Sequence, residues 1–258
     1  MVNPAYNALY SMLGIGISSY NRPDELLRLV SSIENHTTVP YRLWIVDGFS
    51  SQQTLRVLRN LESSGRAEVR YRDHWRGAGY DVFNDLLKIA QEYRGECPYF
   101  VRIDDDCVIT KDGWDAEIIA ALDSDPRVGL VSCEKCNVRF PLSPEGYVRQ
   151  VKAEFMAIRS AIINEVGFFI ERDANEEIIA YSMDSEWMER LGYYGWKIKL
   201  IADCYDAPNC GTDKRVASFA GNKAAAQAQI QKSVDLWHKI EVAKARFLSP
   251  EIMGNSEA

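Results

Sequence analysis

Residues 99–109 read YFVRIDDDCVI. Four of the first five are apolar or aromatic strand formers, and then Asp104, Asp105 and Asp106 arrive together. Adjacent acids repel, and they are costly unless water or a cation neutralises them. The segment is either a solvated turn or one wall of a site that holds something positive. The pattern on either side decides between the two.

Upstream, apolar runs and amphipathic stretches alternate. LGIGISSY (13–20) is a strand, and NRPDELLRLVSSIENH follows with Pro23 at a first helical turn and Leu26, Leu27, Leu29, Val30 and Ile33 at helical spacing. YRLWIVD (41–47) is a second strand ending in Asp47, followed by the helix SQQTLRVLRNLESSG, which Gly65 stops. AEVRYRD (67–73) is a third strand, GYDVFNDLLKIAQEY (79–93) an amphipathic helix, and YFVRI the fourth strand. A helix from Asp112-Gly-Trp-Asp to Leu122 and a fifth strand, RVGLVSC (127–133), complete the series. Such alternation predicts βαβ units, and hence a mostly parallel sheet flanked by helices. Sheets of this kind bind ligands beyond the carboxyl ends of their strands. Asn21, Asp47 and Asp104–Asp106 all fall just past strand ends, so one crevice can collect them.

The second half changes character. Residues 146–169 read as strands and then a short helix from Ser160 to Val166, MDSEWMERLGYYG (183–195) as a helix, and WKIKLIAD (196–203) as a strand. AGNKAAAQAQIQKSVDLWHKIEVAKARFL (220–248) reads as one long helix. The expected organisation is one α/β domain over residues 1–219, with residues 220–258 as a C-terminal helix and tail packed on it.

The chain has 258 residues, 26% charged and 47% hydrophobic, with net charge −7. That balance argues against a surface built to coat nucleic acid. The N-terminal stretch lacks the basic and apolar regions of a signal peptide, and no apolar run approaches the roughly 20 residues of a bilayer span. With no export signal, the six cysteines are expected as reduced thiols in the cytoplasm. Cys133-x-x-Cys136 with Cys204-x5-Cys210 would make a four-thiolate zinc site, although the second spacing suits zinc poorly and buried thiols are common.

The order of the pieces resembles the family-2 glycosyltransferases, which have the GT-A fold. The resemblance rests on SSYNRPDEL (18–26), WIVDGFS (44–50), WRGAGYDVFNDLL (75–87), IDDD (103–106) and MDSEWMERLGYYGWKI (183–198), in order and with suitable gaps. It implies a transferase that moves a sugar from a nucleoside diphosphate to an acceptor hydroxyl, by direct displacement with inversion, with Mn2+ or Mg2+ as cofactor. UDP-, GDP- and dTDP-sugars all fit as donors. The acceptor is a glycan, a small molecule or, at lower rank, a modified nucleic acid.

The resemblance also implies residue roles. Asp106, with Asp104, would hold the metal, since hard cations take oxygen ligands. Asp104 and Asp105 would also face the donor, and Asp47 would meet the base or ribose. Ser19, Tyr20, Asn21 and Arg22 would line the nucleotide; Arg76 and Gly79 would sit near its phosphates. Asp184 would be the general base that takes the acceptor's proton. Glu186 and Trp187 would contact the acceptor. Two departures stand out: Met183 replaces the first acid of the acidic pair, and DCYDAPNCGTD lacks the metal-binding His that often follows the last strand, leaving Asp206 as its substitute.

Each assignment has a plainer alternative. Asp47 before Gly48 suits a turn, Asn21 a helix cap, Asp184 a helix N-terminus, and the aromatics near it a core. Two rival functions are a sugar-phosphate nucleotidyltransferase, which would want a glycine-rich basic loop after the first strand, and a non-catalytic nucleotide- or glycan-binding module with a decayed site.

Overall fold

Strand β1 (Leu13–Ser19) is the hub of the sheet in the computed structural model, which describes residues 12–74, 80–136, 143, 146–169 and 183–207. It pairs in parallel with β2 (Tyr41–Asp47) on one side and β4 (Tyr99–Asp104) on the other. Two glycines make this possible. A Cβ on Gly14 would lie 2.5 Å from the Phe100 ring and one on Gly16 2.6 Å from it, so the ring occupies the space that side chains on β1 would need. Helix α1 (Pro23–His36) links β1 to β2 and buries Leu26, Leu29, Val30 and Ile33. Helix α2 (Gln52–Ser63) leads to the edge strand β3 (Glu68–Tyr71), and α3 (Tyr80–Glu92) leads to β4.

After Asp104 the chain turns: the Cys107 N–H donates to the Asp104 carbonyl at 3.1 Å. A two-residue strand β5 (Val108–Ile109), helix α4 (Trp114–Asp123) and strand β6 (Val128–Cys133) follow. Then come β7 (Tyr147–Val148), β8 (Phe155–Arg159), a 3-10 turn into α5 (Ile163–Val166), α6 (Met183–Tyr193), β9 (Lys197–Ile201) and β10 (Tyr205–Asp206). The eight-stranded sheet runs β3-β2-β1-β4-β8-β6-β9-β7. Parallel pairing, as expected, joins β1 to β4 and β6 to β9, but β8 enters antiparallel between β4 and β6. The described residues between β6 and β8 form a 3-10 turn and the short strand β7.

Trp44, Trp114, Trp187, Phe100 and Phe155 are fully buried with the aliphatic residues of the strands and form one core. The first turn of α4 also buries a charge. Asp115 is 0% exposed, and its carboxylate accepts the N–H groups of Thr38 and Val39, both at 2.6 Å, and the Thr38 hydroxyl at 3.1 Å. The loop between α1 and β2 is thereby pinned to α4.

Among the described residues, no helix is long and apolar enough to cross a membrane. The helix expected at 220–248 lies outside the described residues, as do Arg76, Gly79 and Cys210.

Candidate functional site

The carboxyl ends of β2, β1 and β4 lie side by side. Register pairs Asp47 with Ser19 and Ser18 with Asp104, so the acids of β2 and β4 flank the serines of β1 along one rim.

The β1–α1 and β2–α2 loops are laced together. The Gly48 N–H donates to the Ser19 carbonyl at 2.8 Å, the Asn21 N–H to Ser50 Oγ at 3.0 Å, and the Ser51 N–H to Asn21 Oδ1 at 2.7 Å. Asn21 therefore braces the neighbouring loop instead of capping α1. Both loops contain a non-glycine residue in the left-handed region, Asn21 at φ 55° and Phe49 at φ 75°. Asn tolerates that conformation; for a bulky residue it costs about 1–2 kcal/mol.

Asp47 is 1% exposed. Its Oδ2 accepts the Ser50 N–H at 3.1 Å, while Oδ1 is buried with no hydrogen-bond partner. The neighbouring Ser19 hydroxyl is likewise buried and unpartnered. Native proteins rarely leave such atoms bare, because each forfeits its water without return.

The acidic turn is neutralised from within. The Arg22 guanidinium bridges Asp105 Oδ1 at 3.1 Å and Asp106 Oδ2 at 2.8 Å. The Tyr20 N–H donates to Asp105 Oδ2 at 2.9 Å. Both Asp105 oxygens thus accept hydrogen bonds within the protein, and Asp105 braces the β1–α1 loop. Burial pushes the Asp105 carboxyl up to about 7, against the pull of the Tyr20 N–H and Arg22. Asp104 accepts the Ser18 hydroxyl at 3.0 Å and pairs with Arg102; loss of water raises its carboxyl too, with the guanidinium pulling the other way.

Arg102, Ser18 and Phe49 escaped the sequence reading. The signal for Arg102 was present: a lone cation in the buried strand YFVRI requires a reason. It is 5% exposed, stacks on Phe83 with Cζ 3.5 Å from the ring centroid, and reaches Asp104. Phe83 lies 6.1 Å from Phe169, and Phe169 lies 5.5 Å from Trp187 (centroid distances). A chain of aromatic contacts therefore runs from the acidic turn to α6.

Asp184 sits in the first turn of α6, half-buried. The helix is fixed from below: the Arg190 guanidinium donates to the carbonyls of Val166 and Phe168, and the Trp187 indole N–H donates to Gly167 O at 2.9 Å. Trp187 is fully buried, so the expected acceptor contact is corrected to a core role. The Glu186 side chain lies outside the described residues.

Asp206 pairs on β10 with Val108, and Lys135 Nζ holds its carboxylate at 3.0 Å. Among the described residues no three His, Cys, Asp or Glu side chains group as a metal-ligand set, so Asp206 does not join Asp104 and Asp106. The four-thiolate set raised for the cysteines includes Cys210, which lies outside the described residues. Cys133 and Cys204 place their sulfurs 3.1 Å apart, and Cys136 hydrogen-bonds Tyr205 Oη at 2.8 Å.

Comparison with known proteins agrees with this geometry. A family model described as Glycosyl transferase family 2 matches residues 15–177, more than half of the chain, and the chain belongs to that family. It is therefore a glycosyltransferase. A comparison with curated proteins gave no match.

Among solved structures it is similar to mannosyltransferase PcManGT from Pyrobaculum calidifontis, in complex with GDP-Man and Mn2+, at 16% identity and TM-score 0.58 over 95% of this chain and 76% of that one. It is similar also to S. aureus TarS, at 16% identity and TM-score 0.57 over 86% of this chain and 42% of that one. GalNAc-T7, with UDP, GalNAc and Mn2+, gives 15% identity and TM-score 0.58 over 73% of this chain and 42% of that one. The chain thus spans about two fifths of the TarS and GalNAc-T7 chains. The likeness to these three glycosyltransferases shows the GT-A fold.

Proposed function

We propose that the protein is a metal-dependent glycosyltransferase that moves a sugar from a nucleoside diphosphate to an acceptor hydroxyl, with inversion. One observation carries the reading. Two unpartnered buried oxygens, Asp47 Oδ1 and Ser19 Oγ, stand on the same rim as an acidic turn, at the carboxyl ends of adjacent parallel strands. A nucleoside diphosphate has the matching parts: base or ribose donors for Asp47 and Ser19, and a charged diphosphate for the turn. PcManGT and TarS have been solved with GDP-Man and UDP-GlcNAc respectively, which supports a nucleotide-sugar donor.

The donor chemistry of the turn fits a hard divalent cation. Asp104 and Asp106 supply two carboxylates, and such ions commonly take one or two carboxylates with phosphate oxygens and water. When bound, Mn2+ or Mg2+ supplies positive charge that stabilises the departing diphosphate. Asp104 and Asp106 would hold the ion; Arg102 and Ser18 hold Asp104 in place. Arg22 already neutralises Asp106 and lies within reach of the same negative charge. Asp184 takes the proton from the acceptor hydroxyl as it attacks the anomeric carbon. Arg190 and Trp187 hold the helix that aims it. The buried thiols fit a reducing compartment, so we place the protein in the cytoplasm.

The test is release of nucleoside diphosphate from UDP-, GDP- and dTDP-sugars, with Mn2+ or Mg2+ and water as the surrogate acceptor. The account expects turnover with one donor, its loss on chelation, and about 10²–10⁴-fold lower kcat in Asp184→Asn with nucleotide affinity intact. Chelator-resistant turnover would refute metal dependence, and an Asp184→Asn variant with wild-type kcat would refute the assigned base.

A further inference from the structure

Phe49 is out of place by every ordinary criterion. Its φ of 75° brings a β-carbon against the backbone, in a region that glycine occupies freely. Burial does not offset this, because the residue is 50% exposed and stands outside the hydrophobic core formed by the described residues. The turn does not need the ring to hold its shape either. Gly48 is tied to Ser19, Ser50 to Asp47, and Ser51 to Asn21. The scaffold thus enforces a strained backbone and presents an aromatic ring to water, two residues beyond a buried carboxylate oxygen with no partner. Strain of this kind, fixed by its surroundings at a cleft, points to a contact that the protein alone does not contain.

We infer that Phe49 is a base-stacking residue of the donor site, its ring forming one wall against which the nucleobase lies. The inference rests on the nucleotide-sugar reading above. A nucleobase has an edge of N–H donors and a flat face. The edge suits the bare Asp47 oxygen, and the face suits an exposed ring on the same short turn. Tyr20 lies against the same turn: a Cβ on Gly48 would lie 3.6 Å from the Tyr20 side chain. Phe49 would touch the base, whereas the diphosphate belongs to the acidic turn on β4.

Titration calorimetry on the full chain separates these roles, with UDP, GDP, CDP and dTDP in the presence of Mn2+ and with inorganic pyrophosphate as a ligand lacking a base. Phe49→Gly is expected to weaken the tightest nucleoside diphosphate about tenfold, in the range of one stacked base. Pyrophosphate affinity should not change. The ligand-free melting temperature should stay at or above wild type, because glycine accepts φ 75°. Phe49→Tyr and Phe49→Trp should keep nucleotide affinity within about threefold, since they keep an aromatic face.

If wild type binds a nucleotide and Phe49→Gly binds it equally well, stacking is overturned while the donor site stands. Equal loss of nucleotide and pyrophosphate, or a clearly lower melting temperature, assigns Phe49 a structural role and also overturns the inference. If wild type binds none of the four nucleotides, the donor-site reading fails and this inference fails with it.

Discussion

Two short regions each bury a carboxylate, and they treat it in opposite ways. At the first turn of α4, Asp115 is 0% exposed and its carboxylate accepts two backbone N–H groups and a hydroxyl. At the turn after β2, Asp47 is 1% exposed and one of its oxygens is bare. The first arrangement is a closed account of the loop between α1 and β2. The second is open on the side where a ligand's N–H or O–H would complete it. Burial is the same in both, so burial alone does not separate a structural acid from a binding one; satisfaction of the oxygens does.

The largest effect that sharpens this contrast belongs to the acidic turn on the same rim as Asp47. Asp106→Ala should lower turnover by about 10³-fold or more, from the loss of a charge-stabilising ligand, with the melting temperature little changed. Initial-rate assays at saturating donor, with a melting curve, check both halves. Next comes the closed region. Asp115→Ala strands two backbone N–H groups in the interior, and chemical denaturation should show a loss of about 3 kcal/mol with nucleotide affinity unchanged.

Asp47→Ala should do the reverse. It removes one hydrogen bond to Ser50 but also one orphaned oxygen, so stability should stay within about 1 kcal/mol of wild type while nucleotide affinity falls about tenfold. If Asp47→Ala proves as destabilising as Asp115→Ala, the distinction collapses. The smallest effect lies outside both regions. The Lys197 ammonium, then the Arg127 N–H and Tyr147, hold the Asp125 carboxyl down to about 2. A lowered carboxyl contributes stability above its unfolded value near 4 and loses it as the pH falls toward 2. Asp125→Asn should therefore lower the melting temperature slightly at pH 7 and flatten the acid limb between about pH 4 and 2, so that the two proteins converge at the acid end.

The first half of the fold was legible because its signals are local. Pro23 opens α1, Gly65 follows α2, and the runs at 13–20, 41–47 and 99–103 became β1, β2 and β4. The rim followed from topology, since residues placed past the ends of parallel strands fall along one edge of the sheet. The antiparallel β8 and the pairing of β5 with β10 were not legible, because they depend on contacts between residues far apart in sequence. Within the site, residue type showed where acids stand but not what holds them. Asp104 and Asp106 read as ligands for a cation, and the structure adds that Arg102 pairs with Asp104 while Arg22 bridges Asp106 to Asp105. Trp187 read as a candidate acceptor contact, yet its indole, on α6, is fully buried. Phe49 gave a faint signal, a bulky residue directly after Asp-Gly, whose meaning depends on a backbone angle that no sequence pattern displays.

The most direct test of the open-carboxylate account is a melting-temperature panel of wild type and Asp47→Ala, with UDP, GDP, CDP and dTDP, each with and without Mn2+. The account predicts that one nucleotide with Mn2+ raises the wild-type melting temperature, that the rise shrinks in Asp47→Ala, and that the two ligand-free proteins melt alike. A nucleotide-induced rise of equal size in both proteins would contradict it, as would a wild type that no nucleotide stabilises with or without metal.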